Sequence, residues 1–232
     1  MAHKVWHHHG QMSEAFRTVM FLSASGGLQD AYTYIGRGKV FANAQTGNIV
    51  LMSQAAFNGD LARVLHYLIP LLSFALGVAA AEVIHIRYRE AKHLHWRQLV
   101  LLVEILLLFG VGFIPNTLDL AANALVSFAC AMQVQAFRKV HGYPFASTMC
   151  IGNMRSGMES LVVYFHLHDK KVLHKALHYF GVILLFAFGA GVGAHCVGVF
   201  GNKTIWFSCA LLLVSLCFMF IQDEEEALKE KA

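Results

Sequence analysis

The sequence predicts an all-α fold, a polytopic transmembrane helical bundle, on three observations. The chain of 232 residues is 57% hydrophobic and only 14% charged, with a mean hydropathy of +0.53. A soluble domain carries about a quarter charged residues. Several windows of about 18 to 22 residues are nearly free of charge, the length needed to cross about 30 Å of hydrocarbon. Eighteen Phe and three Pro, without period-two alternation, suit helices rather than a β-barrel. The lipid bilayer is therefore the first partner. The net charge of +4 bears on orientation in that bilayer and not on a nucleic-acid partner.

In order, residues 1–16 read as a polar cytosolic tail, although His3, His7, His8 and His9 also have the chemistry to hold Ni²⁺ or Zn²⁺. The first apolar run begins near Thr18 and ends in no small-x-small cleavage site, so it reads as a retained span from about Arg17 to Ile35. Its middle carries Ser23, Ser25, Gly26, Gly27, Gln29 and Asp30. A carboxylate near a membrane midplane is costly unless it is paired, protonated or facing water. Arg37-Gly38-Lys39 leads into Val40 to Phe57, short for a span and polar around Asn43, Thr46, Gly47 and Asn48. That stretch is a full helix or a broken, re-entrant one.

Further spans run from about Leu65 to Ile86, Leu99 to Ile114 and Leu118 to Phe137, the last ending in Gln133 and Gln135. A basic loop at 87–97 and a Pro115-Asn116 turn separate them. A second Gly-Asn segment, about Pro144 to Phe165, carries Gly152, Asn153, Arg155 and Glu159. The last spans cover about Leu177 to Phe200 and Thr204 to Ile221, before an acidic tail at 223–232. The five cysteines form no C-x-x-C and read as packed free thiols.

The chain also reads as a tandem repeat. Asp30-Ala31-Tyr32 registers on Gln135-Ala136-Phe137, and Gly47-Asn48 on Gly152-Asn153, both at an offset of 105. Phe74-Ala75-Leu76-Gly77 registers on Phe186-Ala187-Phe188-Gly189 at an offset of 112. Repeat 1 covers about 17–115 and repeat 2 about 118–222, within a single membrane domain at 17–222. If the Gly-Asn segments do not cross, about six crossings remain and 14 Lys and Arg fall inside against four outside, as the positive-inside rule requires. Eight crossings erase that bias. Three crossings per repeat makes the repeats inverted, a recurrent plan in transporters.

Gly26-Gly27-x-x-Asp30-Ala31, Phe41 with Thr46-Gly47-Asn48, and Phe74-Ala75-x-Gly77 resemble the YoaK family, defined by a domain of unknown function (number 1275). The resemblance extends from about Arg17 to Ile221. It implies a small multi-pass protein of the bacterial inner membrane and carries no activity with it. The family's second Thr-Gly-Asn stands here as Ile151-Gly152-Asn153.

The residues point first to a small-molecule or ion transporter or channel with a polar midplane site between the repeats. Asn48 and Asn153 would line it, Asp30 would couple to H⁺ or a cation, and Arg155 would bind an anionic group or pair with Asp30. Gln29, Asn43, Thr46, Gln133 and Gln135 would add neutral hydrogen bonds, with Gly47 and Gly152 as the turn glycines. Interhelical glue is the competing role for these amides, and a pair along one helix face for Arg155 and Glu159. Two other classes stay open: an intramembrane haem- or metal-binding redox protein, and a non-transporting scaffold. The histidines lie mostly at span ends, His195 excepted, and no H-E-x-x-H, C-x-x-C-H or G-x-S-x-G is present. No catalytic residue, metal ligand or cofactor is assigned. Small-residue faces at Gly77 to Ala81 and Gly189 to Gly193 suit packing in a homo-oligomer.

Overall fold

The computed structural model describes residues 16–89, 95–140, 143–144 and 148–231. The N-terminal histidines and Phe145-Ala146-Ser147 lie outside these. The described chain is helical. Its α-helices are α1 (Phe16–Ala31), α2 (Gln45–Phe57), α3 (Leu61–Tyr88), α4 (Trp96–Val111), α5 (Asp119–Ala136), α6 (Cys150–Leu167), α7 (Lys170–Phe200) and α8 (Ile205–Lys231). Two two-residue strands, β1 (Lys139–Val140) and β2 (Tyr143–Pro144), form an antiparallel bridge before α6. The acidic C-terminal residues continue the backbone of α8.

Among the described residues, three segments are long and apolar enough to cross a membrane: Leu61–Tyr88, Asn116–Ala136 and Lys170–Phe220. The third contains a break. Gly201 ends α7 with φ +54, and a 3₁₀ turn at Gly201–Thr204 redirects the chain into α8. Outward-facing Leu72, Leu76 and Val83 on α3, and Leu177, Leu184 and Phe188 on α7, are exposed. Apolar surface of that extent suits lipid rather than water. The core lies between α1, α4, α5 and α8, around Leu22, Val100, Leu108, Val126 and Leu212.

Small residues set the closest helix pairs. A Cβ at Gly27 would run into the carbonyl oxygen of Phe186, and one at Gly189 into that of Ala24. A Cβ at Gly77 would strike the carbonyl oxygen of Phe128. The Gly77 and Gly189 faces, expected from sequence to meet a second copy, are thus occupied within the chain. Backbone meets backbone there because glycine leaves no side chain between.

These contacts also fix direction. Ala24 meets Gly189 and Leu28 meets Gly193, so α1 and α7 run parallel. Gly77 meets Phe128 and Glu82 meets Gln135, so α3 and α5 run parallel. By contrast, Ser25 meets Ser208 while Ser215 meets Thr18, so α1 and α8 are antiparallel. Cys209 meets Ile105 and Trp206 meets Phe109, which makes α4 and α8 antiparallel too. α4 turns back into α5 through Pro115, and Arg97 near the start of α4 reaches Ala136 at the end of α5. It follows that α1, α4 and α7 point one way and α3, α5 and α8 the other. α2 packs on α3, and α6 on α7.

A π-helical turn at Tyr32–Gly36 extends α1 to Arg37. The guanidinium of Arg37 is fully buried and donates to the Tyr32 hydroxyl (2.8 Å), Asp119 Oδ1 (2.9 Å) and the Ile114 carbonyl (2.8 Å). Counted from sequence as a loop charge, Arg37 instead latches the end of α1 to the α4–α5 turn.

Candidate functional site

Beyond Arg37 the chain does not continue outward. It turns at Gly38 and Lys39, both at positive φ, and folds back along α1. Asn43 marks how far back it comes. Its peptide N–H donates to Asp30 Oδ1 at 2.7 Å, and its side-chain amide to the Gly26 carbonyl at 3.3 Å. The peptides of Ala42 and Ala44 face the same buried carboxylate. α2 then climbs to Phe57, about 20 Å for 13 residues. At the far end His66 reaches back to the Gly38 carbonyl at 2.8 Å. The segment enters and leaves at one end of the bundle.

The Thr46-Gly47-Asn48 motif explains this turn. Asn48 is fully buried, accepts from the Phe41 N–H (3.0 Å) and donates to the Phe41 carbonyl (2.7 Å) and Gln45 Oε1 (2.9 Å). Both peptide groups of the descending strand, which a helix ladder would otherwise satisfy, are met by one amide. Gly47 leaves room for the Phe41 ring, which a Cβ would approach to 2.9 Å. Phe41 stacks on Tyr34 with centroids 4.4 Å apart. Thr46 is exposed.

The second segment arrives at the same place. Thr148, just before α6, is buried with its methyl group against Gly26, so closely that a Cβ there would collide with it. Asn43 and Thr148 are themselves 105 residues apart. Both tips therefore abut one glycine of α1. Asn43 Oδ1 and Thr148 Oγ1 are buried there with no hydrogen-bond partner among the described residues. In α6, Asn153 is buried and Gly152 faces open space.

On the adjoining face of α1 lies a second polar cluster. The Gln29 amide nitrogen, with two protons to donate, lies within hydrogen-bond distance of three acceptors, Ser25 Oγ (3.0 Å), Ser208 Oγ (2.9 Å) and Glu104 Oε1 (3.2 Å). Ser25 and Ser208 are 2.6 Å apart, and the Cys130 thiol donates to Gln29 Oε1. Glu104 is fully buried, and its Oε2 has no partner among the described residues. Gln133 joins α5 to α1 through the Leu22 carbonyl at 3.3 Å.

Of the residues expected at a midplane site, Gln29, Asp30, Asn43 and Gln133 are brought within about one helical turn of Gly26, the middle of the 16–36 helical segment. Asn48 is beside them but spent on Phe41 and Gln45. Gln135 lies at the end of α5 and donates to Glu82, beside His85 and Arg138. Arg155 does not meet Asp30; it stands exposed on α6, as Glu159 does, and no ion pair joins those two. Sequence reasoning missed Thr148, Ser25, Ser208 and Cys130. Glu104 carried a signal, a single carboxylate inside an apolar run. Ser208 carried none.

The family model described as "Protein of unknown function (DUF1275)" matches residues 18–218. This chain is a member of the DUF1275 family. Among curated proteins it is similar to the UPF0700 transmembrane protein YoaK of Bacillus subtilis (strain 168), at 25% identity over 209 residues, 85% of this chain and 92% of the relative. No solved structure matches. A transmembrane relative along nearly the whole length, together with the apolar outer faces, makes this DUF1275 member a membrane protein.

Proposed function

We propose that the protein is a small-molecule or ion transporter built from two inverted repeats, with its site where the two re-entrant tips meet α1. One observation carries the reading: Asn43 and Thr148, equivalent in the 105-residue register, abut the same residue, Gly26, and present unsatisfied oxygens there. Non-helical backbone at membrane depth is tolerated where it is buried in protein or lines a water-filled path. Broken segments meeting near the midplane between inverted repeats are a common transporter arrangement.

The packing supports the duplication. Exchanging α1 with α5, α2 with α6, α3 with α7 and α4 with α8 turns the α1–α7 contact into α5–α3, α2–α3 into α6–α7 and α1–α8 into α5–α4. α4–α8 maps onto itself, and because that pair is antiparallel the exchange axis lies across the helices. Each repeat then contributes three crossings, and α2 and α6 contribute none. Asp30 and Asn48 act as positioning residues, fixing the first tip through the Asn43 and Phe41 peptides. Asn43 and Thr148 are the residues a solute would touch.

Topology comes first among the tests. Cysteines at Lys39 and Arg63 should label from the same side of intact cells, and one at Arg138 from the other. Labelling of Lys39 and Arg63 from opposite sides would mean that α2 crosses, and the inverted-repeat argument would fall. Solute flux into proteoliposomes should then drop at least tenfold in Asn43→Ala and in Thr148→Val. Unchanged flux in both would remove the tip junction as the site.

A further inference from the structure

α6 has three faces where a lipid-facing helix needs two. Asn153, Gly157 and Ser160 are buried against the bundle. Ile151, Met154, Met158, Val162 and Phe165 are exposed and apolar, as contact with acyl chains requires. Between them runs a third stripe at helical spacing, Gly152, Arg155 and Glu159, and all three are exposed.

The depth of this stripe makes it anomalous. Gly26 lies ten residues from either end of the 16–36 helical segment, so the tips sit at its middle. At 1.5 Å per residue Arg155 is about 8 Å from the α6 tip and Glu159 about 14 Å. Both fall inside a half-thickness of about 15 Å. Charged side chains at that depth almost always face protein or water, not lipid. The matching positions on α2 are Val50 and Gln54, so the charged stripe belongs to the second segment alone.

We infer that the Gly152, Arg155 and Glu159 stripe is the contact surface of a two-fold homodimer, in which Arg155 of each copy pairs with Glu159 of the partner subunit. The stripe is its own complement. A two-fold axis along the membrane normal sets two α6 helices side by side in the same direction. Each arginine then reaches one turn along to the opposing carboxylate, as charged flanking residues do in parallel coiled coils. Gly152, where an added Cβ would meet nothing within 4 Å among the described residues, allows close approach beside the axis. The self-matching stripe closes a dimer rather than a filament. The inference depends on the membrane depth of the tips and is independent of transport.

Single-molecule photobleaching of the full-length, fluorescently tagged protein in lipid nanodiscs tests it. Wild type should bleach in two steps. Arg155→Glu and Glu159→Arg should each reduce the two-step fraction at least tenfold, and the double reversal should restore it. A cross-link covers the case in which the single reversals fail to fold. With Cys150, Cys196 and Cys217, the cysteines that are not buried, replaced, Gly152→Cys should form a disulfide dimer in native membranes while Val50→Cys does not. One-step wild type, single reversals that stay dimeric, a double reversal that does not recover, or cross-linking at Val50 in place of Gly152 would each overturn the inference. Ready modification of Gly152→Cys by a water-soluble thiol reagent would also overturn it, because the stripe would then line a water-filled cleft.

Discussion

The two Gly-Asn segments reach the same glycine of α1 but are held there by different means. The first is clasped from within: Asp30 takes the Asn43 peptide, Asn48 takes both peptide groups of Phe41, and Gly47 is pressed by the Phe41 ring. The second buries Thr148 and Asn153 at its start, yet among the described residues nothing lies where a Gly152 side chain would go, and its next turns carry exposed charge. Similar motifs therefore bear different burdens. In the first segment the glycine is needed inside the chain. In the second it is free for something outside, the asymmetry on which the dimer surface rests.

The largest expected effect tests what both halves share. Gly27→Leu and Gly77→Leu each drive a side chain into a backbone carbonyl of a packed helix. Overpacking costs about 1–3 kcal/mol where side chains can yield, and backbone yields less. Both variants should lose the monodisperse peak of detergent-solubilised protein in size-exclusion chromatography. A stable, monodisperse Gly77→Leu would mean that the α3–α5 contact is looser than its α1–α7 counterpart.

Next in size is the clasp. Asn48→Ala strips partners from two peptide groups of Phe41, at about 1–3 kcal/mol for each group left buried and unpaired. A marked fall in thermal midpoint is expected, together with new accessibility of a cysteine placed at Ala44. A midpoint equal to wild type would show that water replaces the amide and that the first tip is not clasped.

How much was legible beforehand follows from the same residues. Helix positions were readable because an apolar run is a local property, and the Thr-Gly-Asn turn because asparagine and glycine punctuate a hydrophobic run. The 105-residue register rested on Gly47 and Asn48, while Asn43 stood out only as an amide in the same segment. Neither observation singled out Thr148, whose importance comes from which helix it meets. The cluster around Gln29 was half legible. Gln29 and Glu104 stand out as polar residues in apolar runs, whereas Ser25 and Ser208 owe their roles to the α1–α8 crossing, which no local pattern encodes. Arg155 was expected to bind an anionic group, to pair with Asp30, or to pair with Glu159 along one helix face. Periodicity placed it on α6 but could not say which face of α6 the bundle buries.

The smallest effect is the sharpest comparison. Gly47→Ala brings a methyl to 2.9 Å of the Phe41 ring, while Gly152→Ala adds one to open space. Alanine is favoured over glycine in a helix by up to about 1 kcal/mol. Gly152→Ala should therefore leave the thermal midpoint of the dilute single chain level or slightly raised. Gly47→Ala gains the same propensity and must move an aromatic ring held by the Tyr34 stack and the Asn48 clasp, so its midpoint should fall. Paired unfolding curves at low protein concentration in detergent measure the difference directly. Equal falls would mean that Gly152 is as confined within the chain as Gly47. Its open face would then be no evidence for an outside partner, and the contrast between the two segments would collapse.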